Sequence, residues 1–152
     1  MVNIYVDDKY IYSIDLMFMY VNNNNKFVSC KIKTNKLFKV LNYPSWGKNH
    51  AKPNISPMQV IQDKNVSIKQ YQQIINSDLR YPIMIDGEIN RIIDGFHRLS
   101  KAFILKKKYI RAYIFDKNIM EKFIIAKISK KSWNYVNSLT KKDIKKIYNN
   151  RF

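Results

Sequence analysis

The chain has 152 residues, 46% of them hydrophobic, with 28 Lys and Arg against 11 Asp and Glu, a net charge of +17. That length fits one compact domain with a small appendage, and the charge favours polyanionic partners: nucleotides, nucleic acid or acidic surfaces. Cys30, the single cysteine, excludes an internal disulfide framework and suits a reducing, intracellular setting; no run approaches the ~20 apolar residues of a membrane span, and the charged start does not fit a secretory signal.

Residues 1–33 read as β. Two short apolar runs, 3–6 and 10–14, flank Asp7-Asp8-Lys9 and predict a hairpin. Runs 16–21 and 26–32, either side of four asparagines, predict two more strands, which would form a meander or extend the main sheet. Thr34 is a candidate N-cap for a short helix over 36–41. Residues 42–54 are irregular, with Pro44, Gly47 and Pro53, and hold Trp46 and His50. An exposed indole there could stack a base or substrate; otherwise it plugs a sheet edge.

Ser56-Pro57 opens a helical turn, and Ser67 caps a helix whose buried face would carry Ile68, Tyr71, Ile74 and Ile75. Lys69, Gln72, Gln73 and Asn76 fall on its polar face. Asp78 and Arg80 precede a strand that starts at Pro82; they could pair with each other, or Arg80 could line the cleft. Asp86-Gly87 marks a turn, with Glu88 solvated in it. A second strand, 91–94, runs into Gly95.

At Gly95 the pattern changes period. Phe96, Leu99, Ala102 and Phe103 share one helical face, predicting a helix over 96–106. His97 and Arg98 then lie in a first turn whose unpaired N–H groups favour anions. Arg98 could grip phosphate through two hydrogen bonds, and His97 could donate to phosphate or move a proton near neutral pH. Asp94 could hold the loop, orient His97 or reach a magnesium ion through water. Ser100 lies one turn further on, within possible reach of the phosphates, and Lys101 reads as solvated.

A basic run, Lys106–Lys108, leads to a strand over 109–115, then Asp116 as a cap for a helix over 117–126. The tail, 129–152, is basic and aromatic. Thr140 with Asp143 forms a capping-box pattern ahead of a stripe of Ile144, Ile147 and Tyr148, so this helix either docks on the core or serves as a binding arm. Zinc-ligand spacing, a Gly-Lys-Ser/Thr phosphate loop and a serine nucleophile elbow do not occur, and no metal site is expected from the protein ligands.

The string Ile-Ile-Asp-Gly-Phe-His-Arg-Leu-Ser-Lys-Ala, 92–102, resembles the signature of the ParB/sulfiredoxin superfamily, with Asp94, Gly95, His97 and Arg98 matching position by position. The similarity extends over roughly residues 37–115. It implies an α+β fold: a small mixed β-sheet flanked by helices (34–128), with the N-terminal hairpin or meander (1–33) and the C-terminal helical tail (129–152) as additions. It also implies a nucleoside di- or triphosphate, ATP, ADP or CTP, lying over the turn Gly95-Phe96-His97-Arg98, with Mg²⁺ as a possible companion. Ser100, Lys69, Gln72, Gln73 and Asn76 are further candidates for that pocket.

Superfamily members include sulfiredoxins, CTP-binding partition proteins and a serine kinase. Phosphoryl transfer or nucleotide hydrolysis is therefore the expected chemistry, with His97, Asp94 and Arg98 as catalytic candidates and Asp86 as a further possible base. Sulfiredoxin activity is not expected, because Phe96 stands where that group places its catalytic cysteine. Two alternatives remain open: a DNA- or RNA-binding protein or nuclease using the same turn and the basic tail, and a non-catalytic binding module.

Overall fold

The computed structural model describes residues 1–48 and 52–152; His50 lies outside the described residues. The fold is α+β, with two sheets and, among the described residues, seven α-helices. One sheet is three-stranded, β1 (Ile4–Val6), β2 (Tyr10–Ser13) and β7 (Ile124–Lys127), all antiparallel in the order β1-β2-β7. The other has β3 (Cys30–Lys33), β4 (Ile83–Asp86), β5 (Arg91–Asp94) and β6 (Tyr109–Phe115) in the order β3-β6-β4-β5. Among the described residues, no helix is long and apolar enough to cross a membrane.

Two compact units cut across the linear divisions expected at residues 33 and 128. The first comprises 1–28, 86–93 and 115–152, so the N-terminal hairpin and the C-terminal tail belong together. Its core is built by Ile11, Leu16, Met17, Phe115, Phe123 and Ile144, each at most 1% exposed. Helix α7 (Lys141–Arg151) packs on α1 (Ile14–Asn23), and its Thr140/Asp143 capping box forms as the sequence suggests. The tail helix is thus docked. Phe152 meets Tyr20, Phe123 and Tyr148 at ring distances of 4.9–5.9 Å, within the range of favourable aromatic pairs.

Two local expectations fail in this unit. Residues 16–21 are not a strand but the middle of α1. The Ser13 hydroxyl caps the helix by accepting the Leu16 N–H at 3.1 Å, and Asp15 sits in the favourable first turn. Leu16, Met17 and Met19 are good helix formers while Phe18, Tyr20 and Val21 also suit a strand, so the cap decides between the two. The helix expected over 117–126 stops at Glu121 (α5, Lys117–Glu121, capped by Asp116), and the chain re-enters the sheet as β7. Its pairing partner is Tyr10–Tyr12, more than 100 positions upstream, where β-branched Ile124 and Ile125 suit a pleated surface.

The second unit comprises 29–85 and 94–114. Helices α2 (Pro57–Gln62), α3 (Ile68–Asn76) and α4 (Phe96–Ile104) pack on one another over Leu41, Val60, Ile74, Ile83, Leu99 and Ala102, all fully buried. Ser56 and Ser67 cap α2 and α3 as expected, Ser56 within a full capping box with Gln59. The helix expected over 36–41 is two short 3-10 turns, Thr34–Lys36 and Phe38–Asn42. Thr34 is not their N-cap; its hydroxyl donates to the Lys107 carbonyl at 2.5 Å. The strand expected over 26–32 is confined to β3 and shifted one residue onward, while β5 and β6 fall where the pattern put them.

Candidate functional site

The site is the corner where β5 turns into α4. Gly95 makes it at φ 114°, left-handed backbone that a side chain rarely adopts. Packing adds a second demand: a Cβ at Gly95 would lie 2.4 Å from Ile83 Cγ2 and 2.7 Å from Ile83 Cβ. The glycine is therefore fixed by the close approach of the corner to β4 as well as by its dihedral angle.

Helix α4 starts without a side-chain cap. Its first backbone bond runs from the Leu99 N–H to the Gly95 carbonyl at 2.9 Å, so the N–H groups of Phe96, His97 and Arg98 precede the helical ladder. Among the described residues the other six α-helices all receive a cap, from Ser13, Ser56, Ser67, Asp116, Ser129 and Thr140.

His97 is half-buried. Its ring stacks on Trp46 with centroids 4.7 Å apart and planes 12° from parallel, and its Nε2 lies 2.6 Å from Gln70 Oε1. With Gln70 accepting, Nε2 carries the proton and Nδ1 keeps a lone pair in the neutral ring. Burial pushes the imidazole below its ordinary pKa; the Asp94 carboxylate opposes the shift and the Arg98 charge adds to it. At neutral pH the ring is uncharged.

Arg98 turns inward. Its Nη2 donates to Asp94 Oδ2 at 2.6 Å, and its Nη1 donates to the Pro82 and Tyr81 carbonyls at 2.7 and 3.1 Å. The two-pronged phosphate grip expected of this guanidinium is replaced by a tie between the start of α4 and the segment entering β4. Ser100 also differs from expectation: it is fully buried, and its hydroxyl donates to the Phe96 carbonyl at 2.6 Å. Lys101, expected in solvent, donates to the Ile75 and Ser77 carbonyls at 2.8 and 2.6 Å and so closes the C-terminal end of α3.

On α3 the residue that reaches the site is Gln70. Lys69, Gln72, Gln73 and Asn76 are exposed. Of the expected inner face, Ile74 is fully buried and Tyr71 half-buried, while Ile68 and Ile75 are exposed. The helix is rotated from its apparent apolar face, and Gln70 could have been found only from the i, i+4 step that places it beside Ile74. Trp46 is held by an antiparallel bridge to Ile55, with reciprocal backbone bonds of 2.8–3.0 Å, and delivers its indole to His97.

Asp78 and Arg80 pair as expected at 2.7 Å, which holds the Asp78 carboxyl down at about 2. Asp86 is buried and accepts from the Tyr5 hydroxyl at 3.3 Å and the Glu88 N–H at 3.1 Å, an arrangement that organises a turn. No group of three or more His, Cys, Asp or Glu that could hold a metal ion occurs among the described residues. No protein-family model matches the chain, and neither a curated protein nor a solved structure matches it.

Proposed function

We propose that the chain binds a nucleoside di- or triphosphate, with phosphate oxygens received by the N–H groups of Phe96, His97 and Arg98. The observation that carries this reading is the uncapped start of α4, directly after a left-handed glycine and inside the Asp-Gly-x-His-Arg string. Three converging N–H groups and the positive end of a helix suit an anion. The resemblance to the ParB/sulfiredoxin superfamily supports the same ligand class and the same fold family.

The roles within the site are narrower than the sequence alone suggests. Phosphate is held by backbone, while the Arg98 guanidinium keeps the corner in shape. Trp46 and His97 form a stacked pair beside it, which suits the flat face of a base better than a phosphate. Asp94 is engaged by Arg98, so the side chains supply no metal cage; Mg²⁺ would arrive with the phosphates and their waters. Neutral His97 is the candidate general base if a bound phosphoryl group is transferred or hydrolysed, but binding is the part of the reading that the geometry supports.

The test is thermal unfolding with ATP, ADP, CTP and GTP, each with and without Mg²⁺, alongside backbone amide NMR. A nucleotide at a hundred times its Kd should stabilise by about 2.7 kcal/mol and move the amide signals of 96–98 first. Unchanged melting with all four nucleotides would overturn the reading.

A further inference from the structure

At the far end of α4, about nine residues and ~13 Å along the helix axis from Gly95, lies a second concave feature. It is a groove of about 760 Å³ with an apolar floor, where Phe38 and Phe103 meet edge-to-face at 5.1 Å. Its lining is cationic as well, with Lys33 and Lys106–Lys108 among the residues that bound it. Tyr109 stands at the edge, 54% exposed, and is the register partner of Lys33 across β3 and β6. Cross-strand partners project on the same face of a sheet, so an ammonium and an aromatic ring are displayed side by side.

That lining is anchored. The Thr34 hydroxyl and N–H bind the Lys107 and Lys108 carbonyls at 2.5 and 3.0 Å. The end of α4 closes with Lys106 N–H on the Phe103 carbonyl and Lys107 N–H on the Ala102 carbonyl, at 3.1 and 2.9 Å. This helix-ending pair of bonds requires a left-handed residue, usually glycine; here it is Lys106, at φ 53°. The fold thus tolerates a less favourable backbone at a position whose side chain is one of the groove's cations.

We propose that this groove binds single-stranded nucleic acid, with a base stacked on Tyr109 and the aromatic floor and the backbone phosphates tracked by Lys33 and Lys106–Lys108. The chemistry is that of a stacking platform beside a positive strip, which tolerates any base sequence and needs bases that are unpaired. Charge complementarity selects the occupant: four ammonium groups around an aromatic cleft on a chain of net charge +17. The groove is independent of the nucleotide reading, since it shares no residue with the 95–98 turn.

The experiment is fluorescence anisotropy with labelled poly-dT and poly-U strands of about 12 nucleotides, a length within the usual site sizes, over a salt series and against an unlabelled duplex. Wild type should bind both single strands better than the duplex, and the two arms report any preference between DNA and RNA. Lys106→Gly should leave the melting temperature unchanged or raised, because it relieves the left-handed strain, while reducing the salt slope by about one. Tyr109→Ala should weaken binding about tenfold at every salt concentration.

Lys141→Gln with Lys145→Gln, on exposed positions of α7, should change affinity far less. Four results would each overturn the proposal: no single-strand binding at low salt, equal binding of duplex, equal losses from the α7 lysines, or displacement of the strand by anionic lipid vesicles.

Discussion

The Asp94 carboxylate and the Arg98 guanidinium meet at 2.6 Å across one helical turn, and the same guanidinium reaches back to the carbonyls of Tyr81 and Pro82. One planar fork thereby joins the end of β5, the start of α4 and the entrance to β4. Arg98→Ala should cost about 2–3 kcal/mol in urea unfolding, as expected for lost hydrogen bonds to a charged group that is only 15% exposed. Arg98→Lys keeps the charge but not the fork, and should still cost about 1 kcal/mol. Nucleotide binding by folded Arg98→Lys should be close to wild type, because the backbone donors are untouched.

Gly95→Ala combines a positive φ with a collision against Ile83. The expected loss is at least about 2 kcal/mol. Ile83→Ala alone leaves a cavity and also destabilises, but the double variant should be more stable than the sum of the two losses predicts. Strict additivity would mean that the dihedral angle, and not the contact, sets the cost.

The His97 ring binds its proton less tightly in the folded chain than in the unfolded one, with burial the main cause. Stability from this group therefore rises with pH. It is complete above the unfolded value of about 6.5 and is lost as pH falls through that value toward the lower folded one. Melting temperatures between pH 5 and 8, in steps of about half a unit across the ordinary histidine range, should show this acid-side loss. His97→Gln should flatten it. An NMR titration of the His97 ring should find its midpoint below that of a model histidine; a midpoint above it would contradict the buried, stacked geometry.

Lys101 closes α3 by donating to two carbonyls near its end, Ile75 and Ser77. Lys101→Met retains most of the stem and removes the donors and the charge. A loss of about 1 kcal/mol is expected, with faster amide exchange concentrated in the last turn of α3. Uniform acceleration across the whole unit would point to general loosening.

The corner itself was legible because its signals are local: an apolar strand, one glycine and an immediate change from strand to helical period. The bounds of β5 and β6 follow from the same kind of pattern. What escaped depends on distant partners. Ile124 becomes a strand residue only because Tyr12 lies opposite it, and residues 16–21 form a short apolar run that suits strand or helix equally until Ser13 is recognised as a cap. Gln70 was hidden among neighbouring polar residues, and only the rotation of α3, set by burying Ile74 and exposing Ile68, brings it to His97. Arg98 was recognisable as important, but its spacing does not say whether the guanidinium faces outward or inward.

Five of the 28 cationic side chains are arginines, and all five are engaged within the chain: Arg80 with Asp78, Arg91 with the Tyr5 hydroxyl, Arg98 with Asp94, Arg111 with Ser29, and Arg151 with the Lys122 carbonyl. The outward electric field is thus mainly a product of primary amines. Acylation of those amines would neutralise the exterior, and with it any long-range pull on polyanions, while the guanidinium clamps stayed chemically untouched. Except at Lys101, whose ammonium closes α3, architecture and attraction are carried by different functional groups, and a reagent that distinguishes amine from guanidine can switch off the attraction while leaving the arginine clamps in place.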